Sequence, residues 1–436
     1  GGGVTLVPES AVDPDAIVLG SGTDAAANTL ELSDAELDFI TTSTLRIGDS
    51  SALALTITGP IDLTVTQTVT TLDLRSSADI VDSNVGDDLT VTNLRLTGAS
   101  IGLVDGLEVS VDSLFTSTAG GNQFIAEADG LTALDLSAGA GNIALALSEG
   151  AVSDTDASTD IAANAAVITL LDLDDSGDSF GTLANPIATS TNSLEIVTDN
   201  GTNNGDQFID HLGNVNTTLL AGKGTIQLVA TGTITLDDNS ISGGTISLEG
   251  IAVNATGLFG DATPAVTTST GTVSLTASNG VSGIDVSGVT NLTIDVGFDF
   301  SVHSSSGSTL TDLTVSVNGD AISDAYVLSG FSGFTLGLSD TNLDADGVND
   351  LLIAGMSSLT PMNVSFTTRR GNIYLNDPGL GSNAINLPGG NITLTASDVL
   401  NSATEGSIFD RDPNADGPAS SSLFNLITDS ASTVTF

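Results

Sequence analysis

Aspartates at alternate positions ahead of a glycine are the residues whose spacing could do chemistry. Asp412-Pro413-Asn414-Ala415-Asp416-Gly417 follows the pattern D-x-[DN]-x-[DN]-G, with Asp410 just before it. Asn342-Leu343-Asp344-Ala345-Asp346-Gly347 follows it again, with Asp340 ahead and Asp350 behind. Alternate residues place their oxygens on one side of a tight turn, and glycine lets the chain bend around an ion, so both loops are candidates for calcium. Leu423 and Ile353 stand where an EF-hand loop has its bidentate glutamate. That excludes the EF-hand and leaves a partial oxygen cage. Asp-Gly turns also form without metal. A third acidic group, Asp172, Asp174, Asp175 and Asp178, reads as a solvated loop.

The whole composition is acidic through a missing basic complement. Asp plus Glu number 54 against 7 Lys plus Arg, a net charge of −47, yet charged residues make up only 14%, about half of the roughly 25% of an ordinary globular protein. Apolar residues at 40% are too many for a disordered acidic tail. Cysteine is absent, which excludes a disulfide scaffold and Cys-ligated zinc or iron–sulfur sites, and suits an exported protein. No sizeable basic surface is available for nucleic acid. No run approaches the roughly 18 apolar residues of a membrane helix. The chain opens Gly1-Gly2-Gly3-Val4 without a signal segment, so a processed chain, or a piece of a longer one, is expected. Asp outnumbers Glu by 45 to 9, which suits turns and cation contact; an acidic surface adapted to high salt accounts for it equally.

The elements that must position these residues are strands. Short alternating runs such as Leu53-Ala54-Leu55-Thr56-Ile57 are bounded by Gly, Asn, Asp and Ser. Segment 33–39 reads either as one helical turn or, from the alternation at Leu37 and Phe39, as a strand. A Leu-x-apolar core recurs at Leu45, Leu72, Leu94, Leu114 and Leu134, so that two wider steps are followed by two equal ones. A second series runs Ile226, Ile246, Val273, Leu292, Leu313, Phe334, Ile373 and Ile392, with Ile353 filling the one step of double length. A beat near 20 with variable insertions marks a solenoid. Because the returns read as strands or Gly-rich turns, the expected fold is all-β: a parallel β-helix (β-solenoid) of about 20 residues or slightly more per coil. One continuous rod over 1–436 is expected, with longer lateral loops around 148–225 where the beat blurs. About twenty coils at roughly 4.8 Å each give a length on the order of 100 Å.

The same register stacks outward residues. Arg46, Asp73 and Arg95, then Phe115 and Asp135, fall in one column, and the Arg–Asp–Arg triplet reads either as ion pairing between neighbouring strands or as chance placement. His211 and His303 have no ligand spacing and read as turn or surface residues. Acidic pairs at Asp87-Asp88, Asp174-Asp175 and Asp237-Asp238 resemble the aspartate groups of polysaccharide lyases and hydrolases built on this fold. Their cationic partners are nearly missing, since Lys223 is the sole lysine and Arg369-Arg370 the sole basic pair. A chain this negative repels a polyuronate, so the chain reads as no enzyme.

Four segments share one pattern: GNIALAL (141–147), GTISLEG (244–250), GTVSLTAS (271–278) and GNITLTAS (390–397). They resemble repeats of filamentous haemagglutinin-type and autotransporter-passenger proteins, and LANPIATSTNSLEI (183–196) is similar to a motif of giant bacterial surface proteins. The resemblance implies a right-handed parallel β-helix, export to the cell surface and a role in adhesion or surface fibres. It brings no catalytic residues. The expected function is therefore a structural extracellular filament subunit or segment, pairing with copies of itself end to end through strand edges, or forming part of a longer parent chain. The rival is an adhesin module whose lateral loops bind a receptor or glycan.

Overall fold

The computed structural model describes residues 2–8, 15–65, 68–103, 106–173, 177–199, 201, 205–306, 308–317, 325–341, 350–369, 371–375, 385–386, 389–396, 408–410, 426–427 and 433–435. Among these the chain is all-β, with the four-residue helix Asp34–Leu37 as the one exception. No described helix is long and apolar enough to cross a membrane.

Strands form because apolar residues alternate with Thr, Ser and Asn, and a strand sends successive side chains to opposite faces. Asn93–Gly98 buries Leu94, Leu96 and Gly98 while Arg95 and Thr97 face solvent. Asn142–Leu147 and Asn291–Val296 follow the same rule.

The chain forms two compact units, Gly1–Val215 with Leu219–Thr225, and Asn216–Thr218 with Ile226–Phe436. In the first, the chain returns to the same sheet lap after lap, each strand lying parallel to the equivalent one before it. Leu45 lies against Leu72, Leu72 against Leu94, Leu94 against Leu114 and Leu114 against Leu134. All five are at most 1% exposed. A second face repeats the order, with Ile125 against Leu145 and Leu145 against Ile168. The stretch 148–225 keeps this register with longer laps: Ala165 pairs with Asn142 on the lap behind and with Ser193 on the lap ahead.

Turns stack as well as strands. Asn164 donates to Asn142 Oδ1 at 3.0 Å, and Asn192 to Asn164 Oδ1 at 3.2 Å, a ladder of neutral amides up one corner. Gly130 and Gly150, with φ of +101° and +79°, lie so close that a Cβ on either meets the other's backbone. L-residues avoid that conformation in any case.

In the second unit Ile226, Ile246, Val273, Leu292 and Leu313 stack in turn. Beyond Leu313 the expected series fails. Leu313 lies directly against Val364, and Val364 against Ile392, while Tyr326–Ser329, between them in sequence, pairs with Phe300–Ser304. Phe334–Thr341 and Asp350–Ser358 form an antiparallel hairpin, and Ile373 pairs with Leu351 of that hairpin. Phe334, Ile353 and Ile373 therefore belong to a separate sheet. A hairpin strand and a stacked strand share a period of two, so spacing alone does not tell them apart.

Within segment 33–39, Asp34–Leu37 forms a helical turn. Ser33 Oγ accepts from Glu36 N at 3.3 Å, and Glu36 Oε2 accepts from Ser33 N at 2.9 Å, a complete capping box. Leu37 is fully buried while Phe39 is 89% exposed. Asp34 Oδ1 also accepts from Asp62 N at 2.9 Å, tying the turn to a later strand.

Truncation should separate the column from the surface. Leu94→Ala and Leu114→Ala are each expected to cost about 2–5 kcal/mol, because the column above and below cannot close the gap. Phe39→Ala is expected to stay within about 0.5 kcal/mol. Urea unfolding followed by far-ultraviolet circular dichroism measures the three.

Candidate functional site

The loops expected to hold calcium are only partly in view. Asn342, Asp344 and Asp346, and Asp412, Asn414 and Asp416, lie outside the described residues. Asp340 and Asp350 flank the first loop on the two antiparallel strands, with Asp340 opposite Leu351 and Asp350 opposite Thr341. Asp410 ends the strand Ile408–Asp410, opposite Leu375.

In the third acidic group Asp172 is not solvated. Asp172 is 1% exposed, and a carboxylate oxygen of each of Asp172, Asp178 and Glu149 lies within 4.8 Å of the other two. Gly177 N donates to Asp172 Oδ2 at 3.0 Å and Gly150 N to Asp178 Oδ2 at 2.5 Å. Asp174 and Asp175 lie outside the described residues.

Two further clusters escaped the sequence analysis. Asp154, Asp156 and Asp160 bring carboxylate oxygens within 4.8 Å of one another. Asp154 Oδ2 takes the Leu134 amide at 2.7 Å, and Asp160 Oδ2 the Ala188 amide at 2.7 Å. Burial pushes the Asp160 carboxyl up to about 7, the Ala188 amide works against this, and the charges of Asp154, Asp156 and Asp135 add to it. Asp82, Asp88 and Glu108 form the other cluster by the same criterion. Asp82 is 0% and Asp88 1% exposed. Asn84 braces both: its amide donates to Asp82 Oδ1 at 2.7 Å and its side chain to Asp88 Oδ1 at 3.1 Å. Glu108 N donates to Asp88 Oδ2 at 3.1 Å across the adjacent strands. Burial drives the Asp88 carboxyl up to about 7; hydrogen bonds from Asn84 and the Glu108 amide oppose it, while the carboxylates of Asp82 and Glu108 reinforce it.

The charge column is present in register: Arg46 is opposite Asp73, Asp73 opposite Arg95, Arg95 opposite Phe115 and Phe115 opposite Asp135. The pairing within it differs. Asp73, 2% exposed, is held by Arg46 Nε at 2.8 Å and by Arg75 Nε at 2.9 Å. Arg95 turns to the next lap, its guanidinium 4.3 Å above the Phe115 ring, a cation–π contact. Burial alone would raise the Asp73 carboxyl; the hydrogen bonds and charges of Arg75 and Arg46 outweigh it and hold the group below its ordinary value.

His211 is neither a turn nor a surface residue, whereas His303 is half-buried on a strand. His211 is 2% exposed, its Nδ1 2.9 Å from Thr189 Oγ1, and burial lowers its pKa. His303 lies in the strand Phe300–Ser304, its Nδ1 2.9 Å from Ser329 Oγ and its ring edge-on to Phe259. Arg369 is paired with Asp295. An open groove of about 420 Å³ is lined by Leu103, Phe124, Ala144 and Val167, among others.

Glu127 is a buried acid inside the aliphatic column, stacked between Val109 and Leu147 and 1% exposed. It accepts from Val111, Asp129 and Gly130 amides at 3.2, 3.0 and 2.6 Å. Burial is the main reason its carboxyl is pushed up to about 7.

Compared with known proteins, the chain matches no family model, no curated protein and no solved structure.

Two outcomes test these electrostatics. Replacing both Arg46 and Arg75 by Met strands Asp73 as a buried unpaired charge, at an expected cost of about 3–5 kcal/mol. Asp73→Asn should cost less, because its arginine side chains are 41% and 40% exposed and water takes them over. Urea midpoints at neutral pH give the order. Glu127 titrates near 4.5 when unfolded and near 7 when folded. Between these values the folded state keeps a proton that the unfolded state has lost, so raising the pH through this window removes stability, and the penalty is constant above it. Wild type should therefore lose stability relative to Glu127→Gln from pH 4.5 to 7, with no further divergence at higher pH.

Proposed function

We propose that this chain is a parallel β-helix serving as a load-bearing segment of an extracellular surface filament, without catalytic activity. The observation that carries the reading is the in-register parallel return of equivalent residues, Leu45 to Leu134 in one unit and Ile226 to Leu313 in the other. Each lap adds backbone hydrogen bonds along the stacking direction and one more slim aliphatic layer, so such a stack resists extension and bending without large side chains. The absence of cysteine and the shortage of lysine and arginine fit a chain working in an oxidising, ion-rich exterior. Strand edges left at the end of a stack provide backbone groups for pairing with a second copy or with more of a longer chain.

A binding module is the second reading, and the groove beside Phe124 is what favours it. Leu103, Phe124 and Val167 are 44%, 37% and 40% exposed there, enough apolar surface to receive the hydrophobic face of a sugar ring.

Negative-stain electron microscopy of the purified chain separates the readings. Thin rods or end-to-end fibres are expected, lengthening with concentration. Isolated globular particles at every concentration, combined with saturable glycan binding lost in Phe124→Ala, would replace the filament reading with the binding one.

A further inference from the structure

We propose that Asp82, Asp88 and Glu108 form a calcium site built into the first unit, separate from the aspartate–glycine loops. Each contributes a carboxylate oxygen lying within 4.8 Å of the other two. Oxygens on opposite sides of a calcium ion are about 4.8 Å apart, twice a bond of ~2.4 Å, so no pair of the three is too far apart to share one ion.

The cluster alone would not make a site; Asp82 supplies the independent reason. Its side chain occupies the inward position that Ile57 holds on the preceding lap, and it is 0% exposed. Oδ1 takes the Asn84 amide at 2.7 Å. Oδ2 is buried and accepts no hydrogen bond among the described residues. A buried carboxylate oxygen without a partner is costly, and water is excluded from it. A cation supplies the missing partner and offsets the repulsion among three acids at once.

The frame is set before any ion arrives. Asn84 holds Asp82 and Asp88 together, and the Glu108 amide fixes Asp88 Oδ2 from the neighbouring strand. Asn84 is therefore a positioning residue. An all-carboxylate set selects a hard cation over zinc or copper. Calcium tolerates irregular geometry and takes 6–8 oxygens, whereas magnesium demands a near-regular octahedron at ~2.1 Å and gives up its waters reluctantly, which does not suit a site built on the fully buried Asp82.

Equilibrium dialysis of the full chain, stripped with EDTA and returned to physiological NaCl, tests the assignment with radioactive calcium. Wild type should bind one calcium more than Asp82→Asn and one more than Glu108→Gln. Asn84→Ala should keep the stoichiometry with affinity weakened roughly tenfold or more. Excess calcium should raise the thermal midpoint of wild type above its value in EDTA, and by less in either carboxylate variant. Glu108 is only half-buried, so Glu108→Gln keeps the test decisive should Asp82→Asn fail to fold. Equal calcium counts in wild type and the folded variants would overturn the site, and equal affinity for magnesium would overturn its assignment to calcium.

Discussion

Parallel strands in register set each side chain about 4.8 Å from its equivalents on either side, and this chain is built from residues that tolerate such company. Leu on Leu and Ile on Leu pack without changing the spacing, which keeps aromatics down to 4%. Two aromatics do stack as neighbours, Phe300 on Tyr326 with ring centres 5.3 Å apart, while Phe366 lies singly between Val315 and Leu394. Charge is harder to stack, because like charges directly opposite repel. The corner ladder therefore uses neutral Asn142, Asn164 and Asn192. The one buried aspartate flanked by arginines on both neighbouring laps, Asp73, takes its ion pairs from Arg46 and from Arg75 of its own strand.

The excess of Asp over Glu has a local cause at the turns. Backbone amides that leave a ladder need acceptors, and a short carboxylate reaches the amide two residues on. Asp49, Asp62, Asp82, Asp154, Asp156, Asp199 and Asp261 each do so, to Ser51, Thr64, Asn84, Asp156, Ser158, Gly201 and Thr263. The shorter aspartate side chain closes this two-residue turn most readily. Where Glu127 is used, it spans wider, binding Val111 as well as Asp129 and Gly130. The buried Gln207 side chain reaches Ile196 O, Leu220 O and Thr198 Oγ1 through Nε2 at 3.1–3.2 Å, while its Oε1 accepts no hydrogen bond among the described residues.

Stacked columns were legible in the sequence because the stacking repeats a single contact many times. Leu45 to Leu134 could be aligned without knowing any turn, and the outward column Arg46–Asp73–Arg95–Phe115–Asp135 came with it. The hairpin at Phe334–Thr341 and Asp350–Ser358 was not, since its strands carry the same alternation and happen to fall near a multiple of the beat. The helical turn had a readable signal in Ser33 and Glu36, three apart, which the alternation at Leu37 and Phe39 masked. The acidic clusters had none. Asp82 and Asp88 belong to one lap and Glu108 to the next, and what joins them is burial and the direction of two turns, quantities that no spacing records.

The same stacking explains where neutralising charge must come from. The ion pairs at Asp73, twice, and at Asp295 set three arginines against 54 acidic side chains in the chain. Exposed carboxylates are screened by any dissolved salt, over a Debye length of about 8 Å at physiological strength. Buried ones are beyond the reach of that ion atmosphere. Asp88, Glu127 and Asp160, each at most 2% exposed, are accordingly pushed up to about 7, so near neutrality each holds a proton part of the time. A proton and a cation are alternative answers to one electrostatic demand. At Glu127 three amides already fill the acceptor oxygens, whereas at Asp82 an oxygen is left over. The difference between a structural acid and an ion ligand in this fold is thus set by how many turn amides reach the carboxylate first.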